Sequence, residues 1–243
     1  MEINLQDLCD KSRTVVLKAG AFIASQVGEV AAAAVEEKDL NSLVSYVDKE
    51  TEKLLIEGLS KLVPGSVFFT DEETVERQEG EWRWIIDPLE ESVIGFVYEV
   101  IRDEWCYARI YGVSWLNDRQ IQVSQTSNLS ASLLATGFPY YDYEHMQAYL
   151  EVLQFFMQNT RGLRRLGSAA VDLAYVACGR FEGFYEYSLN AWDVAAGVLL
   201  VQEAGGKVTD FKGGDDYLFG RELISSNGRL HEDIHKVIRQ HFS

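Results

Sequence analysis

Three acidic positions in this chain stand where regular structure would hold a carboxylate still. Trp82-Arg83-Trp84-Ile85-Ile86-Asp87-Pro88-Leu89 is an aromatic and aliphatic run that stops at Asp87-Pro88. It reads as a buried strand ending at the proline, which has no N–H for the next ladder hydrogen bond. Asp87 is thereby delivered to a sheet edge, where a carboxylate is a good ligand for a hard cation. Glu72-Glu73 follows the short apolar stretch Ser66–Thr70, and Trp192-Asp193 opens a later helix. Brought together, these segments would surround Mg²⁺ and handle a phosphate ester.

Each feature also has a plain account. A charged triplet such as Asp71-Glu72-Glu73 after a strand is usually a solvated loop. An aspartate in the first turn of a helix, as at Asp193 or at Asp48, often only complements the helix dipole. Gly167-Ser168-Ala169-Ala170 starts a helix, and its free backbone N–H groups make a seat for an anion, although many helices begin this way. The ordered combination weighs more than any one part. Strand-Glu-Glu, strand-Asp-Pro-Leu, the Gly-Ser-Ala-Ala helix start, Glu186 at a strand end and Ala-Trp-Asp follow one another along the chain.

The elements that must position these residues can be read in sequence. Apolar positions at helical spacing predict a first helix over about Leu5–Ala34, with a polar break at Lys38-Asp39-Leu40-Asn41. Ser45-x-x-Asp48 has capping-box form and opens a second helix that Pro64-Gly65 stops. After the Asp-Pro strand, Val93–Ile101, Trp105–Tyr111, Gln120–Ser124 and Ser132–Gly137 have the β-branched and aromatic content of strands. A helix follows over Tyr143–Gln158. The last third alternates strand and helix: an extended Leu163–Leu166, a helix to Cys178, a strand over Phe181–Tyr187 and a helix over Ala191–Ala204, capped by Asn190 and stopped by Gly205-Gly206. Strands at Lys207–Phe211 and Glu222–Ser226 precede a closing helix, Leu230–His241. No linker-like stretch interrupts this order, so one compact unit spans 1–243, with an α+β lobe over about 1–140 and an α/β lobe over about 141–243.

Composition narrows the partners. With 243 residues the chain can bury a substantial core, and a net charge of −16 argues against a nucleic-acid backbone, which demands a basic footprint. A small anionic substrate stays compatible, because a divalent ion reverses the local potential. No apolar run is long enough for a membrane, and the N-terminus lacks a signal-peptide pattern. Cys9, Cys106 and Cys178 are odd in number and widely spaced, which suits a reducing, cytoplasmic setting rather than a disulfide framework. His231 and His235 have ligand-like spacing, but an exposed face of the terminal helix accounts for them, and His145 is isolated. Hard oxygen ligands without suitable histidines favour Mg²⁺ over zinc.

Over nearly its whole length the sequence resembles the inositol monophosphatase family of Mg²⁺-dependent, lithium-sensitive phosphatases. The resemblance is carried by Leu43-Val44-Ser45-Tyr46-Val47-Asp48, Asp71-Glu72-Glu73, Trp84-Ile85-Ile86-Asp87-Pro88-Leu89, Ala191-Trp192-Asp193-Val194-Ala195-Ala196-Gly197 and Glu203-Ala204-Gly205-Gly206. It implies a layered α-β-α-β-α sandwich of α+β class, usually a homodimer. It also implies that Glu72 binds metal and orients the attacking water, that Asp87 bridges two ions, and that the Leu89 carbonyl completes one shell. Asp193 would bind the second ion and approach the substrate, with Asp48 and Glu73 standing behind these ligands. Glu186 would take a substrate hydroxyl, and Gly167, Ser168 and Ala169 would line the substrate seat with backbone N–H groups. The implied reaction is hydrolysis of inositol monophosphate or a related polyol or sugar phosphate. One ion lowers the pKa of a water and the other stabilises the leaving alkoxide. A 3′(2′),5′-bisphosphate nucleotidase is the related alternative, and a metal-binding or interaction protein on the same scaffold is the non-catalytic one.

One departure bears on all of this. After Asp-Pro-Leu the family continues Asp-Gly-Thr-Thr-Asn, a loop and another core strand. Here Leu89 is followed by Glu90-Glu91-Ser92-Val93-Ile94-Gly95-Phe96-Val97-Tyr98, which resembles the family only further downstream. The second metal-binding aspartate and the water-orienting threonine are not present at this junction. Either an internal segment is omitted from the sequence, or the chain truly lacks it. In the second case sheet edges and core surface are expected to lie open at this point. A smaller departure is Asp71, where the family usually has a small residue.

Overall fold

The computed structural model describes residues 4–26, 35–39, 42–70, 80, 82–86, 94–139 and 143–242. The predicted strand–helix alternation of the last third is present. Strands β9 (Leu133–Thr136), β10 (Gly162–Arg164), β11 (Gly183–Tyr187), β12 (Lys207–Thr209) and β13 (Glu222–Ser226) form one sheet in the order β10-β9-β11-β13-β12. β10, β9 and β11 run parallel, and β13 is antiparallel to both of its neighbours, β11 and β12. All five residues of β11 are buried, as expected for a central strand covered on both faces.

Two helices cover one face of this sheet. α4 (Ala169–Ala177) and α5 (Ala191–Glu203) are apolar nearly all round, the pattern of helices buried on both sides. They pack tightly on each other: a Cβ added at Gly197 would lie 2.5 Å from the Leu173 Cβ. The opposite face is covered by α3 (Met146–Asn159) and α6 (His231–His241). Tyr149, Val152 and Phe156 of α3, with Ile234, Val237 and Ile238 of α6, sit at helical spacing on single faces and form a second core with Tyr185 and Ile224.

On its far side the α4–α5 layer meets an antiparallel sheet of β5 (Ile94–Glu99), β6 (Glu104–Arg109), β7 (Trp115–Leu116) and β8 (Arg119–Gln120). Gly95 and Val97 of β5, with Cys106 and Ala108 of β6, are buried. Rings of Phe96, Tyr107, Trp105 and Trp115 stack together, and the guanidinium of Arg13 in α1 (Leu5–Gln26) lies 3.8 Å from the Trp105 ring centroid. α2 (Tyr46–Ser60) packs on α1 and on a parallel pair, β3 (Val67–Thr70) and β4 (Arg83–Ile86). The layers are therefore α1/α2, sheet, α4/α5, sheet, α3/α6.

The first sheet is in two pieces. Among the described residues β4 pairs only with β3, and β5 pairs only with β6. The interruption falls between β4 and β5, the interval that contains the departure after Leu89.

Several expectations are corrected. The first helix is present over Leu5–Gln26, and β1 (Val35–Asp39) pairs antiparallel with β2 (Ser42–Ser45) where a polar break was expected. A β-ladder stabilises those polar residues once both strands are present. Residues 27–34 of the expected helix lie outside the described residues. Gln120–Ser124 is not a strand beyond Gln120: Ile121 and Val123 donate instead to Ser114 and Ala204 carbonyls. His231 is not on an exposed face. It is 1% exposed, hydrogen-bonded to Thr209 Oγ1 at 3.0 Å and Ser226 Oγ at 2.9 Å, and burial pushes its pKa down to about 4. His235 faces the Phe211 carbonyl at 3.2 Å. The cysteines are free, although the Cys106 and Cys178 sulfurs come within 3.8 Å.

Candidate active site at the ends of the parallel strands

Because β9, β10 and β11 are parallel, their C-terminal ends open at the same edge of the sheet, the usual ligand site in sheets of this kind. The chain leaving β9 carries Gly137 and Phe138. Leaving β10 it carries Arg165 and then Gly167-Ser168-Ala169 at the start of α4. Leaving β11 it runs from Glu186 to Asp193 at the start of α5.

Ser168 is the N-cap of α4, its hydroxyl accepting from Val171 N at 3.4 Å. Ser168 and Gly167 are exposed and Ala169 is partly buried, so the helix start opens to solvent at the sheet end. Asp193 lies in the first turn of α5, and its Oδ2 accepts from the Asn190 N–H at 2.7 Å. One of its oxygens is therefore committed to capping, the structural role weighed for it from sequence.

Glu186 is the unusual group. It is 7% exposed, and no described residue donates a hydrogen bond to its carboxylate. Burial, then the neighbouring charges of Asp193 and Asp172, push its pKa up to about 8, with Arg165 opposing. An acceptor buried without a donor carries a desolvation cost that a ligand hydroxyl can relieve.

Asp172 and Gly137 were missed in the sequence. Asp172 is 1% exposed, its Oδ1 has no partner among the described residues, and burial raises its pKa to about 7. The signal for it was present: it is the one charged residue in the apolar α4. Nothing in the linear sequence marks Gly137, whose significance depends on what lies over it.

On the other sheet, Thr70 and Ile86 end β3 and β4 and are register partners. The segments carrying Glu72-Glu73 and Asp87-Leu89 thus start from one end of one sheet. Glu72, Glu73, Asp87 and Leu89 themselves lie outside the described residues. Asp48 is in the first turn of α2 and exposed. Among the described residues no group of three or more His, Cys, Asp and Glu side chains is placed to hold a metal ion. Of the three carboxylates expected to do so, the described set contains Asp193 alone. No helix among the described residues is long and apolar enough to cross a membrane.

Comparison with known proteins agrees with this architecture. An inositol-1-monophosphatase from Mesorhizobium japonicum is 34% identical over 93% of this chain and 94% of its own length. That alignment runs over 250 positions, more than the 243 residues available here, so part of it must face a gap in this chain. A putative Nus factor SuhB from Neisseria meningitidis is 35% identical over 92% of this chain and 95% of its own. The solved extragenic suppressor protein SuhB of Bartonella henselae superposes with a TM-score of 0.87 at 33% identity, covering 95% of this chain and 98% of the other. The inositol monophosphatase family model matches in two pieces, residues 4–90 and 90–243, which meet where the sequence departs from the family pattern. With the five layers in place and the match extending to both sides of that junction, this chain belongs to the inositol monophosphatase family.

Proposed function

We propose that this scaffold serves as a Mg²⁺-dependent phosphomonoesterase for inositol monophosphate or a related polyol or sugar phosphate. The observation that carries the reading is Glu186, a buried carboxylate with no hydrogen-bond donor among the described residues, at the strand ends beside Asp193. A polyol offers the hydroxyl donors it lacks, and a simple alkyl or aryl phosphate does not.

Glu72, Asp87 and Asp193, with the Leu89 carbonyl, would hold the metal, and oxygen donors of this kind suit a hard cation. Bound there, a divalent cation supplies a water of lowered pKa and neutralises charge on the phosphoryl oxygens. Glu72 would also orient that water, with Glu73 and Asp48 standing behind the ligand carboxylates. The N–H groups at Gly167-Ser168-Ala169 seat a phosphate or hydroxyl oxygen, and Glu186 orients the ring. A cytoplasmic, homodimeric, lithium-sensitive enzyme completes this reading.

The junction after Leu89 favours a second reading for a chain that truly lacks the segment. Without the second aspartate and the threonine, the metal site is incomplete, and the fold serves metal binding or protein contacts. The relatives named Nus factor SuhB support a non-catalytic role of that kind. An intact mass of the natural protein, or a peptide spanning Leu89 to Ser92, distinguishes the two accounts of the junction. A phosphate-release panel with Mg²⁺, repeated with lithium, then tests the activity. A 243-residue chain with this junction should release little or no phosphate, and robust turnover from it would refute the importance given to the absent segment. If the natural protein carries the segment, Asp193→Asn should abolish release; full activity in that variant would sink the assignment.

A further inference from the structure

Among the described residues none donates a hydrogen bond to the Glu186 carboxylate, and packing bears on its position. A Cβ added at Gly137 would lie 2.0 Å from Glu186 Oε2, 2.1 Å from Cδ and 2.1 Å from Oε1. The carboxylate therefore lies flat over the Gly137 Cα, in the space that any other residue would fill. With all three carboxyl atoms under 3.0 Å from that position, the carboxylate end of Glu186 would have to shift, and at 7% exposure it has little open space to shift into.

The floor beneath the carboxylate is itself fixed. Tyr149 of α3, 1% exposed, donates its hydroxyl to the Gly137 carbonyl at 2.6 Å. The neighbouring Thr136 hydroxyl lies 2.9 Å from that Tyr149 hydroxyl and donates to the Tyr185 carbonyl at 2.7 Å. Thr136 and Tyr185 are also register partners across β9 and β11. The end of β9 is thus tied to the strand that carries Glu186, one residue before Glu186 itself.

We propose that Gly137 is a positioning residue for polyol recognition, its bare Cα setting where the Glu186 carboxylate sits and Tyr149 holding that backbone from the outer helix layer. The inference rests on Glu186 being the polyol acceptor, and it adds that the acceptor's place is set by the absence of a side chain across the strand. Any larger residue displaces the carboxylate and loses the hydroxyl contact while the phosphate seat at the α4 N-terminus is untouched.

A double-mutant cycle on the full chain tests this, using Gly137→Ala, Glu186→Ala and the pair. The probes are inositol 1-phosphate and inorganic phosphate, titrated calorimetrically with Mg²⁺, and thermal unfolding without ligand. Gly137→Ala should lower the preference for inositol 1-phosphate over phosphate about tenfold, the scale of one hydrogen bond to a charged group. Glu186→Ala should do the same, and the double variant should match Glu186→Ala alone. Gly137→Ala should also lower the melting temperature in the wild-type background and not in the Glu186→Ala background, since the clash is then gone. Tyr149→Phe should reduce the preference about threefold, a fraction of that contact. Equal, additive effects of Gly137→Ala in both backgrounds would overturn the proposal. A coupled melting effect with polyol preference unchanged in Glu186→Ala would instead overturn the reading of Glu186, and Gly137 with it, as no more than a packing contact.

Discussion

Among the described residues the two sheets of this molecule differ in closure. In the C-terminal sheet every strand is paired, central β11 and β13 have neighbours on both sides, and helices cover both faces. In the N-terminal one the ladder stops between β4 and β5, and each is left with a single partner among the described residues. Among the described residues the buried side chains follow the same division: the largest fully buried ones run from Leu134 to Ile238. The difference teaches that, among the described residues, the interruption falls in the sheet that contains the junction after Leu89, while the other sheet is continuous. α4 and α5 stand between the two, so the strand ends bearing Glu186 keep their geometry.

The largest expected effect sharpens this contrast. Phe156→Ala, emptying a fully buried position between α3 and the C-terminal sheet, should cost about 3–5 kcal/mol of unfolding free energy in denaturant melts. Leu59→Ala on α2, 6% exposed and near the open sheet, should cost about 2 kcal/mol. Equal losses would mean that the N-terminal layers are as closely packed as the others.

A smaller effect comes from the carboxyls at the strand ends. In the folded chain the pKa of Asp172 is raised to about 7 and that of Glu186 to about 8, so the native state keeps protons that the unfolded chain releases near pH 4. Their favourable contribution is complete below pH 4 and is lost as pH rises to about 8. His231, pushed down to about 4, has the opposite slope below pH 6.5, so pH 6.5 to 8 is the window in which the carboxyls act alone of these three. In chelator, Asp172→Asn should stabilise the protein by about 1–2 kcal/mol at pH 8 and have little effect at pH 4. A gain that does not vary with pH would show that Asp172 is not protonated in the fold.

The smallest concerns the tie between the two regions. Arg180, just after α4, makes a bidentate pair with Glu104 of β6, at 2.5 and 2.7 Å. The pair lowers the Glu104 pKa, so its contribution is present above the usual glutamate range and lost as pH falls through the lowered value. Arg180→Ala should cost about 0.5–1 kcal/mol at neutral pH, and less at high salt. A larger loss would make the antiparallel sheet more dependent on this anchor than its exposure suggests.

Much of this fold was legible because it depends on local patterns. The 3.6-residue periodicity of α3 and α6, the apolar α4 and α5, the Gly205-Gly206 stop and the β-branched runs each announce an element within a few residues. The errors fell where partners decide. Val35–Asp39 is polar and becomes a strand by pairing with Ser42–Ser45, and Gln120–Ser124 looks extended but gives its hydrogen bonds to a loop and a helix end. His231 has surface-helix spacing, yet the helix turns it onto Thr209 and Ser226.

The sequence alone determined the order of the elements, the family motifs and the place where they break off, because these are properties of neighbours along the chain. It named Glu186 and Asp193 as site residues on the same grounds. Only the tertiary structure decided that Glu186 is buried with no donor among the described residues, that Asp172 lies near it, and that a glycine just after another strand supplies its floor. Those facts depend on which strand ends meet at one edge of a sheet. Contacts between residues tens of positions apart are set by strand pairing, on which local patterns bear only indirectly.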